Sequence, residues 1–164
     1  MIKQELLSKG VLINYLGEQL HYFEVLEFKD PAIKYGFTSS GWLINDNGHQ
    51  TFVKFDSENY LPFVKILQIP FENVITSIEN RCNLIQTQNV KIDDLFPIKN
   101  ITKTAIRMES NYWSKLALKF LVHSKSDDLE LKFFLSSNLN EKWLSQELKH
   151  LIKKYTGPTF IKKT

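Results

Sequence analysis

Between residues 103 and 155 the apolar residues change their period, and this switch constrains the fold more than any other feature of the chain. Leu129, Leu131, Phe133 and Leu135 alternate with Glu130 and Lys132, the period of two expected of a half-buried strand. Leu116, Leu118, Phe120 and Val122 alternate in the same way against Lys115, Lys119 and His123, and 104–108 adds another strand-like run. Residues 124–128 are polar and short enough for a hairpin loop. From Leu139 the spacing turns helical. Leu144, Leu148, Leu151, Ile152 and Tyr155 share one face, Lys142, Gln146, Lys149 and Lys153 share the other, and Trp143 lies on the flank. Asn138 with Glu141 resembles a capping box, and Gly157-Pro158 supplies a stop. The pattern predicts antiparallel strands feeding one amphipathic helix, an α+β chain.

The first hundred residues extend this expectation. Residues 4–9 read as a short helix closed by Gly10, and 20–28 as a strand rich in aromatic and branched residues that ends at Asp30-Pro31. Two strands, 36–44 and 51–55, flank Asn45-Asp46-Asn47-Gly48, whose Asn-Gly pair is a strong hairpin signal. Ile66, Ile69, Val74, Ile75 and Ile78 favour extended structure over 63–79, where Pro70 interrupts any continuous helix. Residues 81–100 are polar around Val90 to Ile92 and read as a long connection or insertion.

At 164 residues one domain spanning 1–164 is expected, with its core over about 35–155, because domains run at roughly 100–200 residues. The hydrophobic fraction of 43% is enough for a packed core and too high for a disordered chain. Cys82 has no second cysteine to pair with and reads as a buried, inert thiol. No run approaches the ~20 apolar residues that cross a bilayer, so no transmembrane segment and a cytoplasmic location are expected. Residues 1–100 hold nine Lys/Arg and twelve Asp/Glu, whereas 101–164 hold twelve and six, so the +3 net charge gathers in the C-terminal part. Those lysines interleave with apolar residues, the pattern of a solvated outer face rather than a nucleic-acid footprint.

One stretch carries a family resemblance. Gly41-Trp42-Leu43-Ile44, a turn, a second strand, and then Leu67-Gln68-Ile69-Pro70-Phe71-Glu72-Asn73-Val74-Ile75-Thr76-Ser77-Ile78-Glu79 resemble bacterial pleckstrin-homology-like and GRAM-like domains, as does the closing helix with Trp143. The resemblance implies a bent antiparallel sheet or partly open barrel of about seven strands, closed by the C-terminal amphipathic helix. It also implies a protein- or lipid-binding role rather than catalysis. Phosphoinositide-binding members place basic residues around the first hairpin. Here that loop is Asn45-Asp46-Asn47-Gly48-His49 with Lys54 the nearest lysine, so no specific phosphoinositide site is expected and a protein partner fits better.

Asn111, Tyr112 and Trp113, placed at a hairpin end by the strand reading, are the candidate partner-binding residues; Trp113 capping the core is the alternative. Trp42 reads as core. No catalytic residue, metal ligand or cofactor site is expected. His21 and His49 stand near carboxylates at undiagnostic spacings, His123 and His150 are isolated, and Asp93-Asp94 and Asp127-Asp128 read as loop residues. Three functions remain: a non-catalytic adaptor or scaffold domain, a small cytosolic inhibitor such as a toxin immunity protein, and an enzyme whose site is assembled from distant residues.

Overall fold

The computed structural model describes residues 2–29, 32–84 and 92–157. Helix α1 (Ile2–Ser8) leads into five strands, β1 (Val11–Tyr15), β2 (Glu18–Lys29), β3 (Ala32–Phe37), β4 (Gly41–Asp46) and β5 (His49–Lys54). They form one open antiparallel meander in the order β1-β2-β3-β4-β5. The rest is helical: α2 (Leu61–Val64), a 3-10 turn (Lys65–Gln68), α3 (Phe71–Leu84), α4 (Ile92–Leu95), α5 (Ile98–Arg107), α6 (Asn111–Ser124), α7 (Leu129–Ser137) and α8 (Gln146–Thr156). The α+β class is as expected.

The alternation of the strands decides which face the helices cover. Phe37 lies opposite Trp42 and Trp42 opposite Val53, and all three are buried with Tyr35 and Ile44 beneath the helices. Phe63 of α2 packs edge-on to Trp42 at 5.7 Å and to Tyr35 at 5.4 Å. The Tyr35 hydroxyl donates to the Leu95 carbonyl at 3.0 Å, which satisfies a buried polar group in the middle of the core. Arg81 ties α3 to the sheet, its Nε–H donating to the Glu24 carbonyl at 2.9 Å.

The Asn-Gly hairpin forms as its sequence predicts. Asn47 and Gly48 both take positive φ, 51° and 86°, and the Gly48 N–H donates to Asn45 Oδ1. The single strand expected over 36–44 divides instead at Thr38, whose N–H donates to the Gly41 carbonyl in a tight turn. The 20–28 strand lies within β2, and α1 with its Gly10 boundary is also as read; Asp30 and Pro31 lie outside the described residues.

The C-terminal third corrects the reading. Residues 104–108, 116–122 and 129–135 lie not in strands but mainly in α5, α6 and α7. Alternation was incomplete evidence, because Ala117 and Leu121 fill the gaps between the alternating residues. With Ser114 and Leu118 they make the buried stripe of a helix, spaced by three and four. In α7 only Leu131 and Leu135 of the supposed strand face are buried, while Leu129 and Phe133 are 63% and 52% exposed. Side-chain caps mark the starts: Ser110 Oγ accepts from the Trp113 N–H, and Asp128 Oδ1 from the Leu131 N–H at 2.7 Å. The supposed hairpin loop at 124–128 is a helix–helix connection that leaves α6 through Lys125 at φ 53°.

Three further expectations change. Among the described residues the sheet has five strands, not about seven, and does not close into a barrel. The extended structure favoured over 63–79 is α2, the 3-10 turn and α3, which begins directly after Pro70 and buries Val74, Ile78 and Cys82 four residues apart. The proposed insertion at 81–100 contains the end of α3, α4 and the start of α5, with 85–91 outside the described residues. Helix α8 starts at Gln146, capped by Ser145 rather than Asn138, so Trp143 precedes it. It ends at Gly157, φ 80°, as the sequence predicts, and packs mainly on α6 and α7 instead of plugging the sheet.

Candidate functional site

The residues expected to bind a partner sit on the first turn of α6. Asn111 is engaged within the fold: its Nδ2–H donates to the Trp143 carbonyl and its Oδ1 accepts from the Ser145 N–H, both at 3.2 Å. These two hydrogen bonds hold the segment that enters α8. Tyr112 is 54% exposed, with its hydroxyl accepting from Gln68 Nε2 at 3.1 Å. Trp113 meets the Tyr112 ring edge-on at 4.8 Å and is half-buried against the core. Asn111 and Tyr112 are both exposed, but with the Asn111 amide engaged, Tyr112 is the one of the three that offers exposed aromatic surface. Trp42, expected as core, is buried.

Two other places concentrate exposed or unsatisfied chemistry. The first is the β1–β2 hairpin. Strand β2 shifts register between Glu24 and Leu26, and because β3 ends at Phe37, opposite Phe23, residues 18–22 pair only with β1. The hairpin leans over the sheet face opposite the helices, where Tyr15 lies 5.9 Å from Phe52. Tyr22 fits over Gly36, where an added Cβ would lie 2.6 Å from its ring. Beneath this arm Leu43 is only 4% exposed although it faces away from the main core. Among the described residues the outer edge of β1 pairs with no strand, and Val11, Leu12 and Leu16 are 61%, 59% and 87% exposed. Leu16 and Gly17 make the turn with φ 52° and 89°, and Asn14 Oδ1 accepts from the Gly17 N–H at 3.0 Å. The sequence signal was the short Asn14-Tyr15-Leu16-Gly17 turn between apolar runs, which is weaker than an Asn-Gly pair.

The second place is a cleft of about 240 Å³ where α1, the end of β5, the α4–α5 junction and the α6–α7 loop meet. Its floor is aromatic, with Trp42, Phe55, Tyr60 and Phe96. Lys3 reaches in from α1, its ammonium 4.2 Å from the Phe55 ring centre and 4.6 Å from that of Trp42. Burial pushes the Lys3 amine below its ordinary value, against a weaker upward pull from Asp94. Nothing in the N-terminal sequence marked Lys3, because its aromatic neighbours lie some forty to fifty residues away.

Most of the other charges around the cleft are paired, while Asp93 has only a hydroxyl partner. Lys99 lies 3.1 Å from Asp128 and 2.5 Å from Glu130, Glu130 also bonds Lys103, and Ser126 Oγ–H donates to Asp93 at 2.7 Å. Arg107, one turn further along α5, faces Glu58 at 3.4 Å. Lys103 first, then Lys99, hold the Glu130 carboxyl down at about 2.

Among the described residues no group of three or more His, Cys, Asp or Glu side chains is placed to hold a metal ion. His21 stands on β2 opposite Leu12, and His123 Nδ1 lies 2.7 Å from the Lys119 carbonyl. Asp93 and Asp128 both line the cleft, although they stand 35 positions apart in the sequence and no local spacing announced it. No helix among the described residues is long and apolar enough to cross a membrane. Comparison with protein-family models, with curated proteins and with solved structures finds no match for this chain.

Proposed function

We propose that the protein is a non-catalytic protein-binding domain of the adaptor or scaffold kind, and that the β1–β2 hairpin is where it holds its partner. The observation that carries this reading is the character of the β1 edge. Edge strands present unpaired N–H and C=O groups, and proteins guard them with lysines, prolines or bulges, because an exposed edge recruits other chains. Val11, Leu12, Ile13, Asn14 and Tyr15 include none of these guards. Exposed Leu12 and Leu16 supply apolar contact beside a free backbone edge, the combination used in strand addition. The opposite edge differs: β5 carries His49 and Lys54, and its Phe52 is partly covered by Tyr15. The hairpin, rather than likeness to pleckstrin-homology-like domains, supports the assignment.

Photo-crosslinking from Leu12 and Leu16 tests it, with His150 on α8 as the control position. Adducts to an extended segment of another protein are expected from the hairpin, and Leu12→Glu with Leu16→Glu should abolish them while the unfolding midpoint stays within a few degrees. Equal adducts from His150, or unchanged binding by the double variant, would remove the hairpin from the function. One stoichiometric partner points to an inhibitor such as an immunity protein; several points to an adaptor.

A further inference from the structure

The geometry points to the cleft over Trp42 and Phe55 as a binding site for a small molecule that carries a single carboxylate on an apolar body. This site is separate from the hairpin and does not depend on it. Lys3 is the reason for the charge. Its ammonium is half-buried against aromatic rings and has no carboxylate within ion-pair distance among the described residues, whereas Lys99, Lys103 and Arg107 each have one. A half-buried cation with no carboxylate in contact has given up part of its hydration mainly for ring contacts, so an anion entering the cleft gains a charge-assisted bond at little further desolvation cost to the lysine.

Asn100 supplies the second polar group. It lines the same cleft, and its carboxamide makes no hydrogen bond among the described residues, which leaves an N–H₂ donor for a carboxylate oxygen. The aromatic floor then sets the rest of the ligand, since Phe55, Tyr60 and Phe96 offer ring surface but no further donor into the cleft apart from a hydroxyl that Tyr60 already directs to the Phe55 carbonyl at 3.1 Å.

The surrounding acids set the charge limit. Asp93 and Asp128 line the cleft, and Asp94 acts on Lys3 from nearby. Asp128 is neutralised by Lys99 and Asp93 is only hydrogen-bonded by Ser126. A phosphate or dicarboxylate would therefore meet uncompensated negative charge that a monocarboxylate largely avoids. At about 240 Å³ the space suits a molecule of about ten heavy atoms, below the size of typical cofactor pockets of ~300–1,000 Å³.

Phenylacetate is the test probe, with phenylacetamide and inorganic phosphate as comparisons, titrated into the full chain while amide and tryptophan side-chain resonances are followed by NMR. Saturable shifts at Trp42, Asn100 and Lys3 are expected with phenylacetate, with affinity about tenfold or more above that for phenylacetamide, the size of one charge-assisted bond. Lys3→Gln should remove that preference. Asn100→Ala leaves the Lys3 ring contacts in place and should weaken phenylacetate several-fold, so it decides the matter even where Lys3→Gln unfolds. Equal binding of acid and amide, tighter binding of phosphate, shifts confined to another surface, or no saturation at millimolar phenylacetate would each overturn the assignment.

Discussion

Single side chains in this protein are fixed by contacts that their own neighbourhood in the sequence does not contain. Glu130 is the clearest electrostatic case. Its carboxyl, held at about 2 by Lys103 and Lys99, lies below the ordinary 4.5, so its stabilising contribution is complete above the ordinary carboxylate range and is lost as pH falls toward about 2. A ¹³C carboxyl titration should place Glu130 well below the ordinary 4.5, and Lys103→Gln should move it back toward 4.5; a wild-type value in the ordinary range would show that the bridge does not form in solution. Gly36 is the clearest steric case. A Cβ there would overlap the Phe23 carbonyl and press on the Tyr22 ring, so Gly36→Ala should cost about 1–3 kcal/mol in chemical denaturation. An unchanged midpoint would mean that the hairpin does not lean on the sheet. Tyr112 and Trp113 should separate in the same assay, Tyr112→Ala staying within about 0.5 kcal/mol and half-buried Trp113→Ala losing about 1–3 kcal/mol.

At the level of elements, α8 and the β1–β2 hairpin have opposite roles. Helix α8 seals the helical layer: Leu148 and Ile152 are buried, while Tyr155 accepts from the Asp128 N–H at 3.2 Å and so joins the helix to the start of α7. Leu148→Ala should therefore destabilise the protein by about 2–5 kcal/mol, and a negligible shift would place α8 outside the core. The hairpin gives less to the core and more to the surface. Its amides at the free β1 edge should exchange with solvent faster than those of β3 and β4, which are paired on both sides, and a partner that adds a strand should slow them. Strand and helix readings diverged at this scale. A run such as Leu116 to Val122 is apolar at separations of two, three and four at once, so either element hides it; the alternating Lys115 and Lys119 looked like a strand's polar face, yet in a helix they fall one turn apart on the outside.

Across the whole molecule the division follows the range of the interactions involved. The sequence by itself determined the features that act over a few residues: the Asn47-Gly48 hairpin, because both positions need positive φ; the Gly157 stop; the α1 boundary at Gly10; the strand within β2; and the burial of Trp42 and Cys82. These follow from backbone sterics and local pattern, which do not depend on what packs nearby. Only the tertiary structure decided that 103–137 is helical, since Leu131, Leu135, Ala117 and Leu121 are buried together through helix packing that no single segment reveals. It also decided the sites. Among the described residues the edge of β1 is free because β1 is the outermost strand of the meander, and the cleft exists because Lys3, Trp42, Phe55, Asn100 and Asp128 converge from four distant parts of the chain. Spacing carries information about neighbours on one element; it carries none about which elements meet, because that depends on the summed burial of faces contributed from the whole sequence.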